Sequence, residues 1–385
     1  MILRWTICII TSIVFNSDKD SKMKLLHRIQ ALDASRRLEI VNKYIPALLV
    51  ESKRELRENG DSRDLSEGIV IGHIHSDLVC SIREKLNDKG NENSSNHPFL
   101  FPPLLENNGK TTVTEGGCFG FRVDCSPKQE STTERTNERN AVFDRFTDIL
   151  LECDVISKKH SDMYPITDLS NTGGKEILAT INRNAAPFLG ITSIGVHLLC
   201  YVRDDDAGSS SSSSNRKNNA SLWLGQRAAN KSHNALRWDP TVAGGQPASM
   251  GLFDNLIKEA GEEAGIDPGI VAQNAVATGC LSQMTCKENG TCMKQSLYYT
   301  WDMPVDRDFV PHPADGEVAE FKLFSAEELE YEVRHGKRLR PAMILVVTDF
   351  LIRHGVITPD NEPDYAEIIA AMHRERLVLE YSTQA

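Results

Sequence analysis

The chain has 385 residues and a formal net charge of −11, with 40% hydrophobic and 25% charged residues. That balance is ordinary for a soluble globular protein, long enough for two domains or for one with large additions. The acidity excludes nucleic-acid binding through general electrostatics, whereas a small phosphorylated substrate bridged by a cation stays compatible, because the ion reverses the local sign.

The first element is an apolar run, Trp5 to Phe15 (WTICIITSIVF), preceded by Arg4. It is too short to span a bilayer as a helix. It resembles the apolar region of a signal peptide but is followed by no clear small-residue cleavage site. A buried strand, or a start assigned upstream of Met23, fits the same residues, so residues 1–22 are read as a targeting segment or a mis-assigned start. No other stretch is long enough to cross a membrane, and no stable membrane insertion is expected. The nine cysteines include no CxxC pair, which favours a reducing compartment. The cytoplasm is therefore favoured, with organelle targeting by the N-terminal run as the alternative. Cys286 and Cys292, with five residues between them in a loop, could bridge or hold a metal, and lone thiols are the simpler reading.

From Leu25 to about Leu56 the apolar pattern predicts an amphipathic helix. Short strand-like runs follow at Gly68–Gly72 and Cys118–Val123. Asn87–His97 and Lys128–Asn140 are polar and loop-like, and Asn140–Ile156 has helical periodicity. Residues 23–185 are read as an N-terminal α+β unit. Gly195–Val202 reads as a buried strand and Ser221–Arg227 as its return. Between them, Asp204 to Ser214 ends in six serines and cannot bury apolar surface. A glycine pair, Gly244-Gly245, precedes a helix through Lys258 and Glu263, and strands are expected at Ala275–Leu281, Gln295–Asp302 and Val318–Phe324. Helices are expected at Arg340–His354 and Tyr365–Leu379. Residues 186–330 are thus one expected domain, with helices in 331–385 packing on it.

Chemistry concentrates in the helix after the glycines. Glu259, Glu262 and Glu263 stand at i, i+3 and i+4, so they share one helix face. Carboxylates this close repel unless a cation neutralises them, and hard oxygen donors at this density suit Mg²⁺ or Mn²⁺. A solvated acidic face is the bland alternative. Against it stand the double glycine, the apolar stripe Leu252, Phe253, Leu256, Ile257, Ala260 and Ala264, and the closing Gly265. Arg227 and Lys231 are candidates for substrate phosphate, or solvated strand-end cations. Glu317, in Asp315-Gly316-Glu317-Val318, is a candidate further ligand or base, or an ordinary turn acid. For His197, Trp223 and Trp238, core packing is favoured over a place in the site.

Gly244 to Ile266 resembles a Nudix box, matching it at Gly244, Glu259, Glu262, Glu263, Gly265 and Ile266. Lys258 replaces the box arginine and Met250 stands at the first glutamate; with Gly245 as the opening glycine the loop is one residue short, and Asp254 is the nearest acid. Further segments, among them Leu222-Trp223-Leu224-Gly225-Gln226-Arg227, Thr241 to Gly245, Asp315 to Val318 and Arg353-His354-Gly355, are similar to a Nudix subfamily related to the Nudix half of thiamine pyrophosphokinase fusion proteins. The resemblance implies an α/β/α sandwich with a mixed sheet, a divalent cation on Glu259, Glu262 and Glu263, and Lys258 orienting a carboxylate. It implies hydrolysis of a small diphosphate, thiamine diphosphate or its oxidised forms, to the monophosphate. Either Glu259 or Glu263 can serve as base through water. The N-terminal unit is expected to choose the organic end of the substrate. The rival readings are hydrolysis of damaged nucleoside diphosphates or nucleotide sugars, and a degenerate module that binds a phosphorylated ligand without turnover. A third, isomerisation of an isoprenyl diphosphate, would call on Cys200 or Cys280. No feature sets an oligomeric state.

Overall fold

The computed structural model describes residues 25, 44–51, 69–88, 98–100, 104–107, 110–113, 119–123, 132–167, 177–203, 220–231, 233–286 and 292–373. The Trp5–Phe15 run and the serine-rich insert lie outside the described residues.

The N-terminal elements are β1 (Tyr44–Glu51), β2 (Ile69–His75), α1 (Ser76–Asp88), β3 (Phe99–Leu100), β4 (Leu104–Asn107), β5 (Lys110–Val113), β6 (Phe119–Val123), α2 (Thr132–Glu152), β7 (Met163–Thr167) and β8 (Ile177–Asn182). A four-stranded sheet runs β2-β1-β6-β3, with β1 antiparallel to β2 and parallel to β6. Phe119 and Phe121 meet Phe143 and Phe146 of α2 in a fully buried aromatic cluster. β7 and β8 form an antiparallel hairpin. A short 3₁₀ turn, Ala186–Leu189, follows it and leads into the next sheet.

That sheet contains β9 (Ser193–Arg203), β10 (Ala220–Arg227), β11 (Trp238–Pro240), β12 (Val242–Gly245), β13 (Val276–Cys286), β14 (Met293–Pro304) and β15 (Val318–Phe324). Its centre is β9, parallel to β14 and antiparallel to β10 and β12, so the sheet is mixed. A strand covered on both faces reads as a near-continuous apolar run, as β9 does from Val196 to Val202. Alternation sends Val196, Leu198 and Cys200 to one face, against Leu256, Ala260 and Ala264 of α3 (Leu252–Ala264). Leu199 and Tyr201 meet Met343, Val346, Val347 and Phe350 of α6 (Met343–Arg353) on the other. With α4 (Pro268–Asn274), α5 (Ala326–Arg334) and α7 (Tyr365–Met372), the fold is a mixed α/β sandwich.

Three expectations need correction. Tyr44–Glu51 is strand, not the continuation of a helix: Pro46 has no N–H for a helix interior, and pairing to β2 and β6 satisfies the backbone instead. Thr132–Asn140 is the first part of α2, not a loop. Its polar residues reach across to β8, where Arg139 Nη1 donates to the Leu178 carbonyl at 3.0 Å and Asn140 Oδ1 accepts from the Thr180 amide at 2.7 Å. The helix expected from Arg340 starts at Met343, after Pro341. His197, Trp223 and Trp238 are buried. Burial pushes His197 down to about 3, so it is neutral, and its ring stacks on Tyr298 at 5.1 Å between centroids. Cys292 is a buried thiol.

α6 is tied to β14 through Asp302, which accepts from Arg353 and, at 2.9 Å, lies beside His354 Nε2. Burial raises the Asp302 carboxyl, but His354 and Arg353 outweigh it and hold the pKa below its ordinary value.

Candidate functional site

α3 places the glutamates. Leu256, Ala260 and Ala264 are its buried stripe, which turns the opposite face toward β12 and solvent. Gly265, at φ 63°, ends the helix in the left-handed region, and its amide bonds back to the carbonyls of Ala260 and Gly261. A larger residue at Gly265 would be strained by that φ, and its β-carbon would stand 2.2 Å from His312 Nε2, so the exposed His312 ring would have to shift.

Glu259 leans on Gly244 of β12, where a β-carbon would stand 2.3 Å from its Cγ. Glu263 Oε2 accepts the Ala243 amide at 2.8 Å. Thus two glutamates grip consecutive residues of one strand. Glu262 is exposed and bonded to Lys258, whose Nζ also lies 3.6 Å from Glu259 Oε1. Burial pushes Glu259 above its ordinary pKa, Lys258 opposes it, and the charges of Glu262 and Glu317 add to the rise. Burial pushes Glu263 up to about 8 against the Ala243 amide, with Glu259, Asp239 and Glu317 adding repulsion.

Glu317 follows Gly316 in a turn fixed by its own amide donating to Asp315 Oδ1 at 2.8 Å, and it pairs with Lys231. Arg227 Nη1 donates to Asp239 Oδ2 at 2.8 Å, and Asp239 also accepts from Arg340 Nε. Both cations expected at substrate phosphate are therefore held by carboxylates. Met250 is half-buried, and its carbonyl accepts from Gln246 Nε2 at 2.5 Å. Asp254 lies in the first turn of α3.

The structure adds residues that spacing did not reveal. Arg340 joins through an ion pair spanning 101 positions, a separation that leaves no local signature. Tyr164 and Arg183 come from the β7–β8 hairpin and sit at Gly245, where a β-carbon would lie 3.2 Å from Tyr164 Oη and 3.4 Å from Arg183 Cζ. Asp162 Oδ2 accepts from Arg183 Nη1 at 2.9 Å.

Among the described residues, no three His, Cys, Asp or Glu side chains already converge as a metal-ligand set. Glu262 is turned to Lys258, Glu263 to the Ala243 amide and Glu317 to Lys231. The donor chemistry still fits a hard divalent cation: Glu259 and Glu263 are carboxylates whose charged forms are disfavoured by burial and by neighbouring carboxylates.

No protein-family model matches the chain. It is 30% identical over 270 residues to an uncharacterised protein of Saccharomyces cerevisiae, covering 65% of this chain and 76% of that one. It is also 30% identical over 250 residues to Nudix hydrolase 20, chloroplastic, of Arabidopsis thaliana, covering 65% of this chain and 62% of the relative. Nudix hydrolase 24, chloroplastic, of the same plant is 30% identical over 235 residues, covering 61% and 59%. The chain therefore spans about three-fifths of these two plant relatives. Among solved structures, a Caenorhabditis elegans Ap4A hydrolase complex overlaps 43% of this chain and 99% of its own at 14% identity, with a TM-score of 0.29.

Proposed function

We propose that the chain is a Nudix hydrolase, a reading supported by its 30% identity to two plant Nudix hydrolases, and as such a divalent-metal-dependent pyrophosphohydrolase of a small diphosphate. Water adds to one phosphorus, the bridging P–O bond breaks, and the products are a monophosphate and orthophosphate. The observation that carries this reading is the grip of α3 on β12: Gly244 leaves room for Glu259, and the Ala243 amide orients Glu263. Glu259, Glu262 and Glu263 would hold Mg²⁺ or Mn²⁺. When bound, the ion supplies charge neutralisation at the diphosphate and activation of the attacking water.

The chain's own groups do the rest. Lys258 holds Glu262 and steadies Glu259, the part an arginine takes in the box. Glu259 or Glu263 takes the proton of the attacking water. Glu317 is a further ligand or base, and Lys231, now paired to it, is released to phosphate when the substrate arrives. Arg227, oriented by Asp239, is the second phosphate contact. The substrate class favoured by the wider sequence resemblance is thiamine diphosphate in its oxidised forms.

A phosphate-release screen of the full chain with Mg²⁺ or Mn²⁺ tests this. It should cover thiamine diphosphate, its oxo and oxy forms, nucleoside diphosphates and sugar nucleotides. Release from an oxidised thiamine diphosphate above the others is expected. Binding with no release from any diphosphate would favour the second reading, a module without turnover, to which Met250 at the first glutamate position points. The plant relatives are named chloroplastic, and import into an organelle through residues 1–22 is the matching proposal for this chain. Among the described residues no helix is long and apolar enough to cross a membrane.

A further inference from the structure

β9 and β12 present two different faces. Val196, Leu198 and Cys200 pack toward α3, so Gly195, His197 and Leu199 face the other way. Gly195 pairs with Gly245 of β12. The outward backbone groups of β12 go to α3 and not to a strand: Glu263 accepts the Ala243 amide, and Asn255 Nδ2 donates to the Gly245 carbonyl at 3.1 Å. Gly195 and Gly245 are therefore a non-hydrogen-bonded pair, about 4.5 Å apart at Cα, and no side chain rises from either. Both are half-buried, so water reaches this floor.

The walls are polar and aromatic. On the side of the β7–β8 hairpin, Tyr164 Oη and Arg183 Nη1 stand 3.2 and 3.4 Å from the place of a Gly245 β-carbon. On the other side, Tyr298 Cδ1 and His197 Nε2 stand 3.5 and 3.6 Å from the place of a Gly195 β-carbon. Tyr298 is fixed by its hydroxyl, which donates to Gln283 Oε1 at 2.9 Å, and the His197 ring stacks on it. Two features have no reason in packing. The first is Gly195 itself: its φ lies outside the left-handed region, and a β-carbon there would meet only ordinary contacts, so the fold does not require glycine. The second is His197, which is 3% exposed and whose buried Nδ1 has no hydrogen-bond partner among the described residues. A buried polar group without a partner is costly. With Nδ1 sealed off, Nε2 is the nitrogen through which this ring can exchange a hydrogen bond with a ligand on the floor.

We propose that Gly195 and Gly245, walled by His197, Tyr298, Tyr164 and Arg183, form a subsite for a flat heteroaromatic ring with a hydrogen-bonding edge, the organic end of the substrate. Glycine at both floor positions lets the ring lie close to the backbone. His197 Nε2 meets the polar edge of the ring, and the Arg183 guanidinium, held by Asp162, offers a planar cation beside it. Glu259 and Glu263 grip Gly244 and Ala243, next along the strand, so a ligand crossing the free edge of β12 reaches the floor and the glutamates together. That the ring belongs to a diphosphate rests on the hydrolase reading. The ring subsite itself needs no metal, and that separates the two ideas experimentally.

The test is calorimetric titration of the full chain, in EDTA, with oxothiamine monophosphate, AMP and CMP, and with ribose 5-phosphate as the ringless control. At least one ring monophosphate is expected to bind about tenfold or more tightly than ribose 5-phosphate. Gly195→Ala puts a methyl group on the floor, and His197→Phe keeps a ring against Tyr298 while removing both nitrogens. Each is expected to weaken ring binding about tenfold. Melting temperatures show that the variants fold, and His197→Phe should melt no lower than wild type, because phenylalanine leaves no buried polar atom unpaired. Equal affinity for the rings and for ribose 5-phosphate, or wild-type ring affinity in either folded variant, overturns the subsite. The phosphate-release assay is run on the same samples. Ring binding that both variants weaken, with no phosphate released from any diphosphate, overturns the hydrolase reading and leaves the subsite standing. Turnover of diphosphates by a protein whose binding ignores the ring does the reverse.

Discussion

Gly244 and Glu259 occupy one space: the glutamate Cγ lies 2.3 Å from where a β-carbon on residue 244 would be. Real contacts of that length do not exist, so Gly244→Ala must move either the strand or the glutamate. Glu259 is half-buried and has little room to retreat. The expected outcome is a loss of about 10²-fold in kcat from the displaced carboxylate, with a smaller effect on melting temperature. Wild-type kcat in a folded Gly244→Ala protein would separate this contact from catalysis.

Glu262→Gln and Glu263→Gln should each lower kcat by at least about 10²-fold. Both keep the side-chain shape, and glutamine at 263 can still accept the Ala243 amide through its carbonyl oxygen. Circular dichroism and melting curves should therefore match wild type. Near-normal turnover of either variant at saturating Mg²⁺ would show that its carboxylate is not part of the metal site.

Asp302→Asn tests stability far from the chemistry. It removes the charge that holds Arg353 and His354. Taking one partner from a buried pair costs about 3–5 kcal/mol, and the lower end is expected because Arg353 keeps Asp349 at 2.7 Å. The pH dependence has a definite sign. The folded pKa of Asp302 is depressed, since His354 and Arg353 outweigh burial, so its contribution is full above the unfolded value and fades as pH falls through the folded one. Melting temperature followed from about pH 6 down to about pH 2 should therefore show a shallower acid limb in Asp302→Asn. Parallel acid limbs would mean that another group sets the loss.

Tyr164→Ala should alter choice among diphosphates more than rate. Its hydroxyl stands over Gly245, and Arg183 lies 5.7 Å from its ring centroid. The ratio of kcat/KM for an oxidised thiamine diphosphate against a nucleoside diphosphate is the readout, with a change of about tenfold expected. An unchanged ratio would remove the β7–β8 hairpin from substrate selection.

What sequence reading reached, and what it missed, divides by range. α3 was legible because its evidence is local: an apolar stripe at helical spacing, acids on the other face and Gly265 at the end. β9, β10 and β15 were legible as apolar runs. Tyr44–Glu51 was not, because a short run of Leu and Val serves a helix or a strand equally until its partners are known, and those partners are 70 or more positions apart for β6. The polar start of α2 was hidden for a related reason: Asn140 is held by Thr180, 40 positions on. The same limit explains the site. The glutamates announce themselves within eight residues, Lys258 to Gly265, whereas Arg340 at Asp239 and Arg183 at Gly245 come into place only after the sheet has formed.

The seat of Tyr164 and Arg183 on Gly245 bears on how such a protein can be rebuilt. A graft that moved only residues from Ser193 onward would carry β12 and the glutamates intact but leave the sheet beside Gly195 and Gly245 open to water. The two halves are thus not interchangeable cassettes joined at the 3₁₀ turn. A recombinant that keeps its chemistry must take the β7–β8 hairpin with it, and exchanging that hairpin would change the surface over Gly245 without touching the helix.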